Sequence, residues 1–229
     1  MKRIFFVFLI SLVAASAYAE DSKNATPQGN WIADVKTGCK VWNPAPAQDE
    51  SIKWSGDCKN GKAVGKGSLE WYKNGELQNT ITGVLEDGRC AQDCSAITKD
   101  GGSYVGEMKD NMPHGKGIIT RADGSKYEGE MQGGERHGKG ILKFASGETY
   151  TGEWQHGKIH GKGELASADG KQKYTGEFKD DMPHGHGIML YEDGSKYEGE
   201  WSEGRRHGKG RYTAKDGSSY EGVWEHGER

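Results

Sequence analysis

The sequence has few of the residues that fill a conventional protein core. Hydrophobic residues make up only 33% of its 229 residues, whereas glycine alone occurs 37 times. So little apolar surface does not readily fill the space between two packed layers of secondary structure. The composition therefore argues against a two-layer fold and favours an open or single-layer architecture.

An excess of positive charge is also missing. The formal net charge is −3, with 31 lysines and arginines against 34 acidic residues. Nucleic-acid-binding proteins gain affinity by neutralising phosphates with basic side chains, so nucleic acid is not expected as a partner. Lipid binding needs clustered basic residues or an amphipathic helix, and the basic residues here are interleaved with glutamates. A membrane-lipid-associated adaptor remains an alternative.

Only one long hydrophobic run is present. It extends from Ile4 to Ala15, follows Lys2 and Arg3, and is followed by Ala17-Tyr18-Ala19. A basic start, a short apolar run and small residues before a cleavage point are typical of a secretory signal peptide. The run is too short to cross a membrane. We expect cleavage after Ala19 and export of the chain, either to the periplasm or fully secreted.

Cysteine is scarce, and all four cysteines lie in the first half of the chain: Cys39, Cys58, Cys90 and Cys94. Disulfides persist in the oxidising compartments that exported proteins reach, and four cysteines allow three connectivities. We favour pairing of sequence neighbours, Cys39 with Cys58 and Cys90 with Cys94. The single C-x3-C spacing does not match the paired motifs of zinc sites.

What the sequence does contain is a repeat. Tyrosines recur every 23 residues, with one spacing of 24, and begin six units at Tyr104, Tyr127, Tyr150, Tyr174, Tyr197 and Tyr220. A fixed period of this size indicates a stacked array. With each tyrosine as position 0, position 2 is Gly and position 4 is large and apolar, including Trp154, Trp201 and Trp224. This alternation predicts a strand with one apolar face.

The second half of each unit predicts a turn, a second strand and a loop. Position 7 is Gly, Asn or Asp, positions 11 and 13 are Gly, position 15 is apolar, and position 20 is Gly. We expect a hairpin whose paired positions sum to 15, so that Tyr faces position 15 and Glu at position 3 faces Lys or His at position 12. A three-residue loop ending in Gly should follow, and the extra residue of the Tyr150 unit should form a β-bulge.

The motif Tyr197-Glu-Gly-Glu-Trp201, followed by His207-Gly-Lys-Gly210, resembles a unit of the MORN repeat family in an exported bacterial member. The resemblance covers Tyr104 to Gly227 well and Trp54 to Gly88 weakly. It implies an all-β fold, an elongated and twisted single-layer antiparallel meander of repeated hairpins. It also implies a scaffold that presents a surface to partners, while catalysis in multidomain relatives belongs to attached domains. No cofactor is implied.

These features divide the chain into four parts. They are a signal peptide (1–19), an N-terminal cap (20–53), two degenerate repeats with disulfides (54–103), and five full repeats with a C-terminal half copy (104–229). The half copy ends in a single strand whose unpaired edge invites pairing, so we expect either a monomer or an end-to-end homodimer through that edge.

Histidine recurs at position 10 of the five full units, at His114, His137, His160, His184 and His207. Successive copies lie too far apart to share one metal ion, so we expect each imidazole to hydrogen-bond its own loop or strand. Chelation by Asp180, Asp181 and His184 is the remaining metal alternative. Ser125 and Ser195 lie beside turn glycines, which favours turn chemistry over nucleophilic catalysis.

The sequence therefore predicts a non-catalytic scaffold or binding module of the cell envelope with a protein or glycan partner. A cell-wall hydrolase is the less favoured alternative. Arg136, Arg205 and Arg206 form small basic clusters near loop tips and are the candidate partner surface. The aromatic rows suit a glycan if one row is exposed and a core if they are covered. Specificity is expected in the variable positions 5, 6, 8 and 9.

Overall fold

The computed structural model describes residues 29–228, so the predicted signal peptide, residues 1–19, lies outside the described range. Within that range the chain forms 18 β-strands and no helix. Accordingly, none of the described residues belongs to a helix long and apolar enough to span a membrane.

The first half of the chain holds nine strands: β1 (Asn30–Ala33), β2 (Lys40–Asn43), β3 (Glu50–Trp54), β4 (Asp57–Lys59), β5 (Lys62–Lys73), β6 (Glu76–Glu86), β7 (Arg89–Thr98), β8 (Ser103–Lys109) and β9 (Met112–Thr120). The second half holds the other nine: β10 (Lys126–Gln132), β11 (Glu135–Lys143), β12 (Thr149–Gln155), β13 (Lys158–Ala166), β14 (Lys173–Lys179), β15 (Met182–Leu190), β16 (Lys196–Ser202), β17 (Arg205–Thr213) and β18 (Ser219–Trp224).

These strands form one open, single-layer sheet, which confirms the predicted fold class. From β5 to β18 every strand pairs antiparallel with its neighbours in sequence. The start of the chain departs from the meander, because β3 and β4 both pair with β5 and β2 contacts β5 in parallel at Lys40.

The two strands of each unit are joined by a two-residue turn at positions 6 and 7. Both residues have positive φ in every unit, for example His156 and Gly157 (49° and 76°). Two consecutive positive φ values match the twist of a hairpin. The turn also links neighbouring units, because the N–H of Gly157 donates to the carbonyl of Arg136 over 3.0 Å.

The residue type at position 7 matches the hydrogen-bonding groups at position 9 of the preceding unit. Asp181 Oδ1 accepts the N–H of Ile159 over 2.8 Å. Pro183 has no N–H to satisfy, and the residue beside it in the next unit is Gly204. Where position 9 is arginine, as in Arg136, its own side chain donates to the next turn glycine, Gly157.

Consecutive units are joined by loops of the predicted three residues. Phe144 N–H donates to the carbonyl of Glu148 over 2.9 Å, and Gly147 ends the loop with a φ of 101°. In the Tyr150 unit the closing bond runs instead from Ser167 to Gln172, which makes a four-residue loop. The predicted β-bulge is therefore wrong, since β13 and β14 pair without a register shift.

The predicted hairpin register holds only as far as position 2. Tyr150 lies opposite Leu165 and Gly152 opposite Gly163, as expected, but Trp154 lies opposite Ile159. The hairpin leaves Gly161 and Lys162 unpaired. These two residues pair instead with the next strand, Gly161 with Phe178 and Lys162 with Glu177. The predicted pairing of positions 3 and 4 with positions 12 and 11 of the same hairpin is wrong, because each hairpin contains a bulge.

The glutamate at position 3 stabilises this bulge. Glu130 Oε1 accepts the backbone N–H of Lys139 over 3.1 Å. The intervening Gly138 has a φ of 54°, and a Cβ there would lie 2.7 Å from Glu130 Cδ. Equivalent bonds join Glu107 to Lys116, Glu153 to Lys162, Glu177 to His186 and Glu200 to Lys209. No ion pair within residues 29–228 joins a position-3 glutamate to a position-12 lysine.

The aromatic residues of positions 0 and 4 form a continuous core along one face of the sheet. Trp154 packs edge-on against Tyr127 and Tyr150, with ring centroids 5.3 and 5.2 Å apart. The same edge-on contacts continue through Phe178 and Trp201, each between two successive tyrosines, and from Trp224 to Tyr197. Edge-to-face packing at this distance is favourable for aromatic rings.

Each of these tyrosines also makes a hydrogen bond across a glycine. Tyr127 OH donates to the carbonyl of Glu130 over 2.7 Å. The ring covers Gly140, where a Cβ would lie 2.5 Å from Tyr127 Cε2. The same bond recurs from Tyr104, Tyr150, Tyr174 and Tyr197 to the position-3 residue of their own units.

The N-terminal segment covers the first turns of the array. The Arg89 guanidinium lies over the rings of Trp31 and Trp42, 5.0 and 4.7 Å from their centroids. Asn111 Nδ2 donates to the carbonyl of Trp42 over 2.7 Å. The disulfides join Cys39 to Cys58 and Cys90 to Cys94, which are the favoured pairs. One of them ties β4 to the end of the β1–β2 turn.

Replacing Glu130 tests its role in the bulge. Glu130→Ala removes the acceptor of the Lys139 N–H and should lower the free energy of unfolding by about 1 kcal/mol. Glu130→Gln keeps an oxygen acceptor and should change stability by less than about 0.5 kcal/mol. Urea unfolding followed by tryptophan fluorescence measures both. If the Gln variant loses as much stability as the Ala variant, charge rather than the hydrogen bond is what matters.

Candidate binding face

The sheet has two faces, and only one carries the aromatic core. We call the face with Tyr150 and Trp154 the inner face and the other the outer face. Tyr104, Tyr127, Tyr150, Tyr174 and Tyr197 are 0–5% exposed, and Trp154, Trp201 and Trp224 are 3–8% exposed. These two rows are therefore structural, and they do not offer ring faces to a glycan.

A band of partly buried apolar side chains lies beside the tyrosine row. We call it the apolar band, and it consists of Ile119, Phe144, Leu165, Met189, Tyr191 and Tyr212, all packed against the core. Leu165 lies opposite both Tyr150 and Tyr174, which places it on the inner face. The apolar band is thus the accessible apolar surface of that face.

The predicted basic clusters are split by the alternation of the strands. Arg136 and Arg206 lie on the inner face, with guanidinium carbons 4.2 and 4.1 Å above the rings of Trp154 and Trp224. Each also donates to a turn carbonyl, Arg136 to Gly157 over 2.5 Å and Arg206 to Gly227 over 2.7 Å. Arg205, opposite Ser202, is exposed on the outer face. The three arginines therefore do not form one surface.

A small pocket on the inner face brings Arg136 close to a residue that the sequence analysis did not identify. Its lining residues are Ile119, Arg121, Ser125, Tyr127, Arg136 and Leu142. Arg121 occupies position 17, which in the later full units is Phe144, Ser167, Tyr191 and Ala214. The sequence could have indicated Arg121, because it is the one basic residue at a position that is uncharged in the other full units. Its proximity to Arg136 follows only from the pairing of β9, β10 and β11.

The recurring histidines do not behave as expected. Within residues 29–228 no imidazole at position 10 forms a hydrogen bond, and the predicted bonds to loop or strand are therefore wrong. His160 lies opposite Glu153, whose carboxylate already accepts the nearby Lys162 N–H. Among the described residues, the one ring contact of this set is between His137 and His156, with centroids 5.9 Å apart.

The alternative chelating set is also dispersed. Asp180 pairs with Lys158 Nζ over 3.0 Å, and Asp181 accepts the Ile159 N–H. The described part of the chain contains no group of three or more metal-ligating side chains. Both carboxylates therefore contribute to the turns rather than to a site with His184.

The candidate serine nucleophiles lie in the loops. Ser195 Oγ donates to Asp193 Oδ1 over 2.6 Å, and its backbone N–H donates to the same oxygen over 2.9 Å. Ser125 makes the equivalent backbone bond to Asp123 over 2.8 Å. These are the contacts of a turn, in line with the interpretation of both serines as turn residues.

Burial controls the ionisation of the tyrosine row. It raises the pKa of Tyr104, Tyr127 and Tyr197 to about 12, because the phenolate would lose hydration next to the sheet. Burial raises the pKa of Tyr150 and Tyr174 as well, at the middle of the array. The folded sheet thus requires neutral phenols.

The fold and the repeated hairpin define an open repeat array whose units stack through their strands. The chain belongs to the MORN repeat family: the MORN repeat model matches residues 54–76, 104–126, 127–149, 150–172, 174–196 and 197–219. These segments cover more than half of the sequence. No curated protein matches the chain.

Two solved structures show a weak likeness. The SAS-4 TCP domain of Drosophila melanogaster, in complex with a proline-rich motif of Ana2, is 12% identical with a TM-score of 0.42. The match covers 76% of this chain and 90% of that one. The TCP10 domain of Danio rerio CPAP, in complex with a STIL peptide, is 11% identical with a TM-score of 0.20. That match covers 76% of this chain and 100% of the other.

The pKa values of the tyrosines predict unfolding at alkaline pH. Because the folded pKa of Tyr127 is raised above the unfolded value of about 10, the stabilisation is complete below pH 10 and is lost as pH rises towards 12. Ultraviolet absorbance of tyrosinate and circular dichroism should change together in this window. Titration in denaturant, as the control, should show one phase near pH 10. Ionisation of the whole row near pH 10 with the sheet intact would contradict this account.

Proposed function

We propose that this chain is a non-catalytic module of the cell envelope that binds a protein partner on its inner face. Its MORN repeats make it a binding or scaffold module. The observation that favours a protein partner is the apolar band, which continues across the repeats beside the closed aromatic core. Arg136 and Arg206 lie on the same face. Apolar and aromatic side chains with arginine are the composition enriched in protein interfaces.

A glycan partner is the second candidate, and one observation favours it. At the C-terminal end of the inner face, Tyr220 lies 5.5 Å from Tyr212 and 5.9 Å from Trp224, with interplanar angles of 33° and 26°. Tyr220 is 37% exposed. Rings that are nearly parallel and partly exposed can stack on the face of a sugar.

The envelope location is part of the proposal. It rests on the predicted signal peptide, with cleavage after Ala19, and on the two disulfides, which persist in oxidising compartments. A homodimer through β18 also remains a proposal, and a second copy of the chain is one outcome of the experiment below.

Site-specific photo-crosslinking tests which face binds the partner. A photo-reactive amino acid is placed at Met189, in the apolar band, or at Ile188 beside it on the outer face. Ile188 is 39% exposed and pairs with Thr175 and Glu198. Because it is an accessible apolar residue on the opposite face, crosslinking from it measures nonspecific contact with other proteins. Each variant is expressed in the producing cell, irradiated and analysed by mass spectrometry after fractionation of the envelope.

We expect one protein to be crosslinked from position 189 and not from position 188. Equal crosslinking from both positions would contradict an inner-face site. A crosslink to the chain itself would assign the surface to a homodimer, and a crosslinked glycan would favour the second candidate. Recovery of all crosslinked material from the cytosol would contradict the envelope location.

A further inference from the structure

The pocket around Arg121 and Arg136 is a second, more specific feature of the inner face. Both arginines line it together with Ile119, Ser125 and Leu142. The Arg136 guanidinium is held in place by the Trp154 ring beneath it and by the Gly157 carbonyl at one end. A guanidinium has five N–H donors, and Gly157 is its one hydrogen-bond acceptor among residues 29–228.

Neither arginine forms a direct ion pair in the described part of the chain, although Arg121 interacts electrostatically with Asp123 and Arg136 with Asp181. The ion pairs there include neither Arg121 nor Arg136. Burial lowers the pKa of Arg136, and the positive charge of Arg121 lowers it further, whereas the charge of Asp181 acts in the opposite direction. Two partly buried like charges that are not paired directly with a carboxylate are unfavourable.

A hydroxyl lies at the edge of the same pocket. Ser125 is 4% exposed, and its hydroxyl lies beside the Asp123 carboxylate and lowers the pKa of that group. The opposite wall is apolar, with Ile119 and Leu142 on either side of Tyr127. The pocket therefore combines donors at one side with a wall suited to methylene groups.

The chain contains a natural comparison three units further on. Arg206 has the same stacking on Trp224 and the same bond to a turn carbonyl as Arg136. There, however, position 17 is Tyr191 instead of a second arginine. The contacts that Arg136 and Arg206 share stabilise the fold, so Arg121 is the feature that distinguishes this pocket and is left for another purpose.

We propose that this pocket binds a carboxylate, supplied by an acidic side chain of the protein partner that contacts the inner face. Guanidinium groups bind carboxylates through short, charge-assisted hydrogen bonds. The stem of a glutamate or aspartate can pack on Ile119 and Leu142 while its oxygens face Arg121, Arg136 and Ser125. The identity of the ligand rests on the proposed function, but the pocket can be tested without the partner.

The direct test uses propionate as the analogue of a glutamate side chain. Arginine side-chain N–H resonances of the purified protein are followed by NMR during titration with propionate, with propionamide as the uncharged control. We expect saturable shifts for Arg121 and Arg136 with propionate alone, and no saturable shift for Arg206. Arg121→Gln should weaken binding about tenfold, the loss of one charge-assisted hydrogen bond.

Two further variants separate the site from general effects. Arg211→Gln removes a charge from the exposed outer face and should leave propionate affinity unchanged. Ser125→Ala should weaken binding less than Arg121→Gln does. Near-ultraviolet circular dichroism confirms that each variant is folded, and the Arg121 side chain forms no hydrogen bond in the described structure that its loss would break.

Several results would overturn the proposal. They are the absence of saturable shifts, equal responses to propionate and propionamide, equal responses of Arg136 and Arg206, and tighter binding of inorganic phosphate than of propionate. In the photo-crosslinking experiment, Arg121→Gln should reduce capture from position 189 at least severalfold. Capture that persists unchanged would reject the carboxylate site while leaving the inner-face function intact. Propionate binding without any captured protein would reject the function alone.

Discussion

The packing of each tyrosine ring on a pair of glycines determines most other contacts in the sheet. The Tyr127 ring lies so close to Gly140 that no side chain fits there, and its hydroxyl reaches the Glu130 carbonyl. This contact fixes the register at positions 0 and 2. Because the chain then skips two residues, the glutamate side chain turns back to the freed N–H of Lys139. Tyrosine, glycine and glutamate thus form one unit of structure, and the tryptophans fill the spaces between successive units.

Much of this could be predicted from the sequence, and the limit has a physical cause. The alternation after Tyr150, the turn residues and the loop glycines such as Gly147 depend on local backbone preferences, which the residue types reveal directly. The register beyond Gly152 does not depend on such preferences. Trp154 can lie opposite Gly161, as the sequence predicted, or opposite Ile159, as the structure shows. The contact that decides the register is a hydrogen bond from a backbone N–H to a glutamate carboxylate. Because every residue except proline has a backbone N–H, the sequence does not show which one is the donor. For the same reason the glutamates suggested ion pairs with lysine that are not formed.

The candidate site was partly visible in the sequence for a different reason. Arg136 and Arg206 stood out as basic residues near turns, but adjacency suggested that Arg205 belonged with Arg206, whereas alternation places them on opposite faces. Arg121 lies far from Arg136 along the chain and comes near it only through the pairing of β9, β10 and β11. Of the positions expected to carry specificity, position 9 does lie on the inner face, together with position 17, which the sequence alone did not indicate.

The complementarity between position 7 and position 9 of the preceding unit has a consequence for how such an array can change during evolution. Repeats are often lost or duplicated whole by recombination, and the sheet as such would tolerate this. Excising the unit that holds both Asp181 and Pro183, however, would place the Ile159 N–H against Gly204, which has no side chain to accept it. The units share one fold, but exchanging them changes which position-9 N–H groups have a side-chain acceptor, so their order along the chain is itself a part of the information that the sequence carries.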